Sequence, residues 1–278
     1  MFTIFKFTFR EAFSRKILLV SLIMAVVFLG LYGTGVHYAA GGMEKETRNA
    51  MLAPVIYRQL LLFGLYFGSF IVSFLAIVST AGIISSEIES GNIQAIIPKP
   101  LRRSEIVLGK FLGQGLFLAV YAALMFGVIY MVVHFRTGLQ ITGGWEAAAL
   151  FALEPLTLMA VTFLASTLTS TVAGGAISFT LYAVAIVGGM IEQIGNIIDN
   201  LYMKNAGIIS SLIMPVDAIY RKIVHVMVGS SQNPIAAAQQ MGPFGSLSEP
   251  SLWMILYTIA YVLVFLGLSV YYFGRRDV

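Results

Sequence analysis

The run Ile17-Leu18-Leu19-Val20-Ser21-Leu22-Ile23-Met24-Ala25-Val26-Val27-Phe28-Leu29-Gly30-Leu31-Tyr32-Gly33-Thr34-Gly35-Val36 contains no charged residue. As an α-helix rising 1.5 Å per residue it spans about 30 Å, the thickness of the hydrocarbon core of a bilayer. Lys6, Arg10, Arg15 and Lys16 precede it, and His37-Tyr38 and two glycines mark its far flank. Basic residues ahead of an apolar run also mark a leader peptide. This run is long and no clean small-residue cleavage site follows, so it reads as a retained first span.

Five further runs meet the same criterion. They are Leu60–Ile84, Phe111 to about Val133, Ala147–Leu168 interrupted by Glu154-Pro155, Val172–Ile194 with Glu192 near its end, and Leu252–Phe273. Composition agrees: of 278 residues, 58% are hydrophobic and 11% charged. A soluble domain carries about 25% charged residues, enough to cover a globule with a solvated surface. The expected fold is therefore an all-α integral membrane protein of six spans. Five or seven are the alternatives, because Ile208–Met214 and Pro215–Val228 are apolar enough to dip into the membrane. With no tandem repeat or low-complexity stretch, one membrane domain is expected over 1–278.

The net charge is +4. The basic residues stand beside apolar spans, which points to positive-inside topology and away from a nucleic-acid partner. With the N-terminus inside, Lys6, Arg10, Arg15, Lys16, Lys99, Arg102, Arg103, Lys110, Arg275 and Arg276 lie on the inner side. Lys45, Arg48, Arg58, Arg136, Lys204, Arg221 and Lys222 fall on the other. The bias is modest, and the first span decides it: both termini are expected in the cytoplasm. The absence of cysteine removes disulfides, thiolate catalysis and iron–sulfur sites.

Residues 1–16 are patterned as an interfacial helix. Phe2, Phe5, Phe9, Ala12 and Phe13 share one face, opposite Lys6, Arg10, Thr3 and Ser14. The alternation over Phe5–Arg10 also fits a strand, but the neighbouring span favours the helix. Asn196–Ser251 is the largest expected extramembrane piece and lies on the outer side. In it Pro215-Val216-Asp217 marks a helix start. Val216, Ile219, Tyr220, Ile223 and Met227 then recur at helical spacing, with Asp217, Arg221 and His225 on the opposite face. The pattern predicts an amphipathic helix lying on or dipping into the outer surface.

The inner loop after the second span runs Glu87-Ile88-Glu89-Ser90-Gly91-Asn92-Ile93, then Ile96-Ile97-Pro98-Lys99-Pro100-Leu101-Arg102-Arg103-Ser104-Glu105-Ile106-Val107-Leu108-Gly109-Lys110. Acids come first and bases last in a polar, proline-bounded segment between two spans. A soluble partner can grip such a segment and push on the flanking helices. The plain alternative is a solvated loop that obeys the positive-inside rule. The stretch resembles the signature of type-2 ABC exporter permeases: Glu87 and Glu89 match its acidic pair, Gly91 its glycine, Pro100 its proline, Arg103 its arginine, Glu105 its later acid, and Gly109-Lys110 its end. Asn92 stands where threonine is usual, and Pro98 is extra.

The resemblance implies a permease in the plasma membrane of a prokaryote. Residues 85–110 would be its cytoplasmic coupling loop, gripped by one of two copies of a separate ATP-binding subunit. A second permease copy or a paralogue would complete the assembly, and the outer segment 196–251 would act as gate. ATP and Mg would be bound by the partner, with no cofactor in this chain. The residues agree that no ATPase lies here. A phosphate-binding loop needs Gly, four residues, then Gly-Lys-Ser/Thr. Gly109-Lys110 has Ser104 where the first glycine belongs and Phe111 where the hydroxyl belongs.

Glu154 lies about nine residues beyond Trp145, roughly 13 Å deep. An ionisable group there is costly and is a functional candidate by default, for lining a path or taking a proton. The alternative is a bundle-facing carboxyl hydrogen-bonded beside Pro155. Glu192 is shallower and within reach of the outer interface. Pro215, Asp217 and Arg221 are the outer-gate candidates. Gly64 and Gly68, Gly109 and Gly113, Gly174-Gly175 and Gly188-Gly189 allow close helix packing inside the chain or, for the last two pairs, against a second permease. His37, His134 and His225 are scattered, so no metal site is expected, and no catalytic constellation is visible. The rival readings are an ATP-independent secondary transporter or channel, an intramembrane enzyme, and a structural subunit. The sequence does not choose among lipid, peptide, drug, sodium, polysaccharide or copper-related cargo.

Overall fold

The computed structural model describes residues 4–9, 16–44, 53–89, 103–140, 143–228, 244–246 and 248–275, and among them no strand occurs. Residues 4–9 are helical. The remaining helices are α1 (Lys16–Glu44), α2 (Ala53–Ala81), α3 (Ser85–Glu89), α4 (Arg103–Thr137), α5 (Gly144–Leu168), α6 (Thr171–Ile197), α7 (Leu201–Ile213), α8 (Val216–Val228) and α9 (Leu252–Arg275). Six segments are long and apolar enough to cross a membrane: Ile17–Gly41, Ala53–Glu89, Ser104–Thr137, Gly144–Leu168, Thr171–Ile197 and Leu252–Arg275. The protein is thus an all-helical, multi-pass membrane protein. Helices α7 and α8, at 13 residues each, reach about 20 Å and are too short to cross.

Helix α5 is the centre, touching α2, α4, α6, α8 and α9. The most apolar stretches of α2 and α5 are each 67% buried, against 17% for α1 and 11% for α9. Equal hydrophobicity therefore has two uses. Leu62, Leu65, Leu158 and Phe163 are core, whereas Val20, Ile23 and Leu31 on α1 and Leu256, Leu263 and Val264 on α9 are exposed. Apolar faces this broad belong against lipid. Close packing inside the bundle relies on missing side chains: a Cβ at Gly64 would lie 2.5 Å from the Tyr32 ring, and one at Gly68 would lie 2.6 Å from Ile129 Cδ1.

The expected interruption at The expected helix at the N-terminus is found over 4–9, where Phe5 and Phe9 stack with centroids 6.3 Å apart. Thr8 is buried and the backbone approaches Gly113 closely. The rest of 1–16 lies outside the described residues.

The larger correction concerns the piece expected to be solvated. Helix α7 turns back along α6, and the turn at Met214 and Pro215 is buried beside Leu75 and Met159 of the core. Helix α8 then runs outward, against α5. The α7–α8 hairpin is re-entrant. Its polar atoms are satisfied as an apolar surrounding requires. Asn200 Oδ1 accepts from the N–H groups of Tyr202 (3.0 Å) and Met203 (3.3 Å) at the start of α7. At its end Tyr257 donates to the Leu212 carbonyl (2.6 Å) and Tyr261 to that of Ile213 (2.8 Å).

Candidate functional site

Three polar constellations interrupt this apolar bundle. The first stands at the end carrying the α2–α4 loop. Helix α2 stops at Ala81, and a turn leads into α3. The buried Lys110 ammonium donates to the Ile83 carbonyl (2.9 Å) and pairs with Glu87. Ser166 Oγ, from α5, accepts from the N–H groups of Ile84 (3.2 Å) and Ser85 (3.1 Å). Ser85 meets Thr171 at 2.8 Å, and Glu89 Oε1 accepts from the Thr171 N–H (3.3 Å), in the first turn of α6. The acidic pair singled out in the sequence therefore ties the loop to α4 and α6. Glu105 stands in the first turn of α4 and is partly buried. Arg103 is the first residue of α4; its side chain, and Gly91 and Pro100, lie outside what is described.

This arrangement carries a stability prediction. Lys110→Met leaves a buried carbonyl and Glu87 without their cation, at about 1–3 kcal/mol. Glu89→Gln, on an exposed side chain, is expected to stay within about 0.5 kcal/mol of wild type. Thermal midpoints of the two variants in mild detergent check the contrast. Equal midpoints would remove Lys110 as the anchor.

The second constellation is at the opposite end, on α8. Asp217, Arg221 and His225 were expected on a solvated face, yet Arg221 is 3% exposed and His225 8%. Glu192, expected to reach the interface, is 6% exposed and turned inward. The cause is the α6–α7 packing, which folds the polar face of α8 onto the inner face of α6. Arg221 pairs with Glu192 through Nη1 and with Asp217 Oδ2 through Nε at 2.9 Å. It also donates to Ser211 (3.0 Å) and Ser248 (2.7 Å), and Ser248 donates to Glu192 (3.1 Å). Lys222 holds Glu249 at 2.8 Å, a hydrogen bond that lowers the Glu249 carboxyl below its ordinary range. One guanidinium thus joins α6, α7, α8 and the segment entering α9. A cleft of about 260 Å³ opens beside it, lined by Glu192, Ile208, Ser211, Arg221, Glu249 and Met254 among others.

The third lies midway along α5. Glu154, 2% exposed, accepts from Ser69, and from Ser73 at 3.3 Å. Its other oxygen has no hydrogen-bond partner. Tyr66, Tyr182, Tyr220 and Asp217 surround a small cavity beside it. Pro215 sits at the turn one residue before α8 and so sets where Asp217 enters.

The structure thus brings Glu154, Glu192, Asp217 and Arg221 into one neighbourhood and leaves Glu87, Glu89 and Lys110 at the far end. Sequence reading missed the hydroxyl groups that complete the sites. Tyr66, Ser69 and Ser73 fall at i, i+3 and i+7 of one span, a polar stripe on an otherwise apolar helix that marks an inward face. Ser211 and Ser248 carry no comparable signal. Among the described residues, no group of three or more His, Cys, Asp or Glu side chains converges as a metal centre.

Comparison with known proteins follows the same lines. The family model described as "ABC-2 family transporter protein" matches residues 2–278. A curated protein named "Probable ABC transporter permease protein NosY", from Stutzerimonas stutzeri, is 28% identical to this chain over 120 residues. That alignment covers 43% of this chain and 40% of the relative.

Proposed function

The chain belongs to the ABC-2 family of transporter proteins, and from that premise we propose that it is the transmembrane permease of an ATP-driven exporter. Two copies of a separate ATP-binding subunit supply the energy, and a second permease copy or a paralogue completes the pathway. ATP and Mg are held by the partner subunits. The N- and C-termini face the cytoplasm, and the assembly works in the plasma membrane of a prokaryote.

The observation that carries the reading is the anchoring of the α2–α4 loop. Glu87 and Lys110 clamp its two ends together, and Glu89 and Ser85 fasten it to the start of α6. A push on residues 87–105 therefore reaches α2, α4 and α6 without passing through a flexible joint. Glu87, Glu89 and Lys110 transmit that push; Gly91, Pro100, Arg103 and Glu105 shape and present the gripped segment. At the other end the α7–α8 hairpin, hinged at Pro215 and locked by Asp217 and Arg221, serves as the outer gate. Glu154 and Glu192 line the space the gate controls.

The test is recovery of partners. The tagged chain is extracted in mild detergent from its own membranes, and the co-purifying proteins are identified by mass spectrometry. An ATP-binding subunit is expected, and it is lost when residues 90–102 are replaced by a Gly/Ser linker while insertion persists. Recovery of the chain alone, under conditions that preserve known complexes, overturns the reading in favour of an ATP-independent transporter or channel.

A further inference from the structure

Charge balance in the buried polar region leads beyond the ATP-coupled reading and does not depend on it. Three carboxylates, Glu154, Glu192 and Asp217, lie in one neighbourhood around the base of α8, with Arg221 as the cation paired to two of them. Lys222 is engaged by Glu249. Glu154 receives hydroxyl hydrogen bonds from Ser69 and Ser73 but no ion pair with a cation. Hydroxyl donors stabilise a carboxylate without neutralising it. An unneutralised charge is expensive in an apolar bundle, so a buried carboxylate takes up a cation, a proton or a partner.

The geometry supplies a place for the missing charge. The cavity beside Glu154 has a volume of about 20 Å³, which is room for a single water-sized species. Every polar atom around it is an oxygen: the Glu154 and Asp217 carboxylates, the Ser69 hydroxyl, and the phenols of Tyr66, Tyr182 and Tyr220. Glu154 Oε2 and Asp217 Oδ2 are both buried without a hydrogen-bond partner. Arg221 Nε, 2.9 Å from that Asp217 oxygen, sets one edge of the site, and Glu192 stands beyond it on the same guanidinium. Oxygen-only lining suits a hard cation, and two carboxylates with one already paired leave a single negative charge to balance. A divalent ion would overcompensate it.

We propose that the Glu154–Asp217 cavity is a binding site for one small monovalent alkali cation. The site joins α2, α5, α6 and the deep end of α8, so occupancy holds the re-entrant hairpin in place. Protons compete for the same carboxylate: acidification weakens the cation's effect.

The experiment uses the full chain in lipid nanodiscs. Its unfolding midpoint is followed while NaCl, KCl or LiCl replaces choline chloride at constant ionic strength and neutral pH. The midpoint is expected to rise with alkali concentration and to saturate, and the half-effect concentration to increase on acidification. Glu154→Gln is expected to abolish the alkali-dependent rise, and Ser69→Ala to shift the half-effect concentration upward without abolishing it. No difference between alkali and choline salts in the wild type overturns the site. So does a rise of equal size in both variants. A midpoint that responds to pH alone also overturns it, and makes the occupant a proton. Ser69→Ala retains the carboxylate and keeps the test decisive if Glu154→Gln does not fold.

Discussion

Arg221→Met is expected to lower the unfolding midpoint of the detergent-solubilised protein by on the order of 10 °C. Removing one member of a buried ion network leaves the others uncompensated, at about 3–5 kcal/mol, and a chain of this size shifts by about 2–4 °C per kcal/mol. Arg221 is paired with Glu192 and Asp217 and hydrogen-bonded to Ser211 and Ser248. Its loss exposes two carboxylates to an apolar setting and unties α6, α7 and the entry to α9 together. Arg221→Lys rescues only partly, because one compact ammonium cannot serve a forked set of partners. Adding Glu192→Gln to Arg221→Met removes one stranded charge and is expected to recover a measurable part of the loss. A cycle over these variants reads the coupling directly. If Arg221→Met unfolds within a degree of wild type, the network does not hold the hairpin.

The second large effect concerns the seam between α6 and α7. A Cβ at Gly207 would overlap Glu192 Cβ and lie 2.7 Å from the Gly188 carbonyl oxygen. A Cβ at Gly188 would overlap the Ser210 side chain, and one at Gly189 the Asp217 carboxylate. At Gly195 it would meet the Lys204 backbone nitrogen at 2.8 Å. Small residues here let the two backbones approach, which is how helices associate where lipid offers no hydrophobic drive. Gly207→Val therefore forces the helices apart and tilts Glu192 away from Arg221. Overpacking costs about 1–3 kcal/mol, and the damaged ion network adds to it, so loss of the folded monodisperse peak in detergent is the expected result. Gly127→Ala is the control: no atom lies within 4 Å of its added Cβ. Normal behaviour of Gly207→Val would show that α7 is not seated against α6 as described.

These two effects also mark where sequence reading stops. The six spans were legible because each is a long apolar helix, and the bilayer makes that a requirement. Helical ends moved by several residues, as at Ala53 and Arg103, because apolar runs do not mark where a helix leaves the membrane. Asp217 in the first turn of α8 and Trp145, 93% exposed near the start of α5, stand where capping and interfacial preferences put them. Glu154 was legible as an anomaly, since a charge within a span demands a reason. Its partners were not, because serine and tyrosine in a span are common and only one face of α2 turns inward.

The α6 glycine pairs show the same limit. Gly-Gly in a span announces close approach without saying to what. Gly174 meets the end of α5, Gly175 approaches Ala81, and Gly188 and Gly189 meet α7 and α8, so all four serve packing inside the chain. Arg221 shows it most sharply. Its periodicity on an amphipathic helix is the same whether the polar face looks at water or at Glu192. Amino-acid order alone decides that this chain lives in a membrane, how many times it can cross, and which family it joins, because those follow from local length, polarity and motif. Whether α8 floats on the surface or returns to the core depends on how α7 docks on α6. That docking is a contact between residues far apart in the chain, whose fit no local pattern encodes.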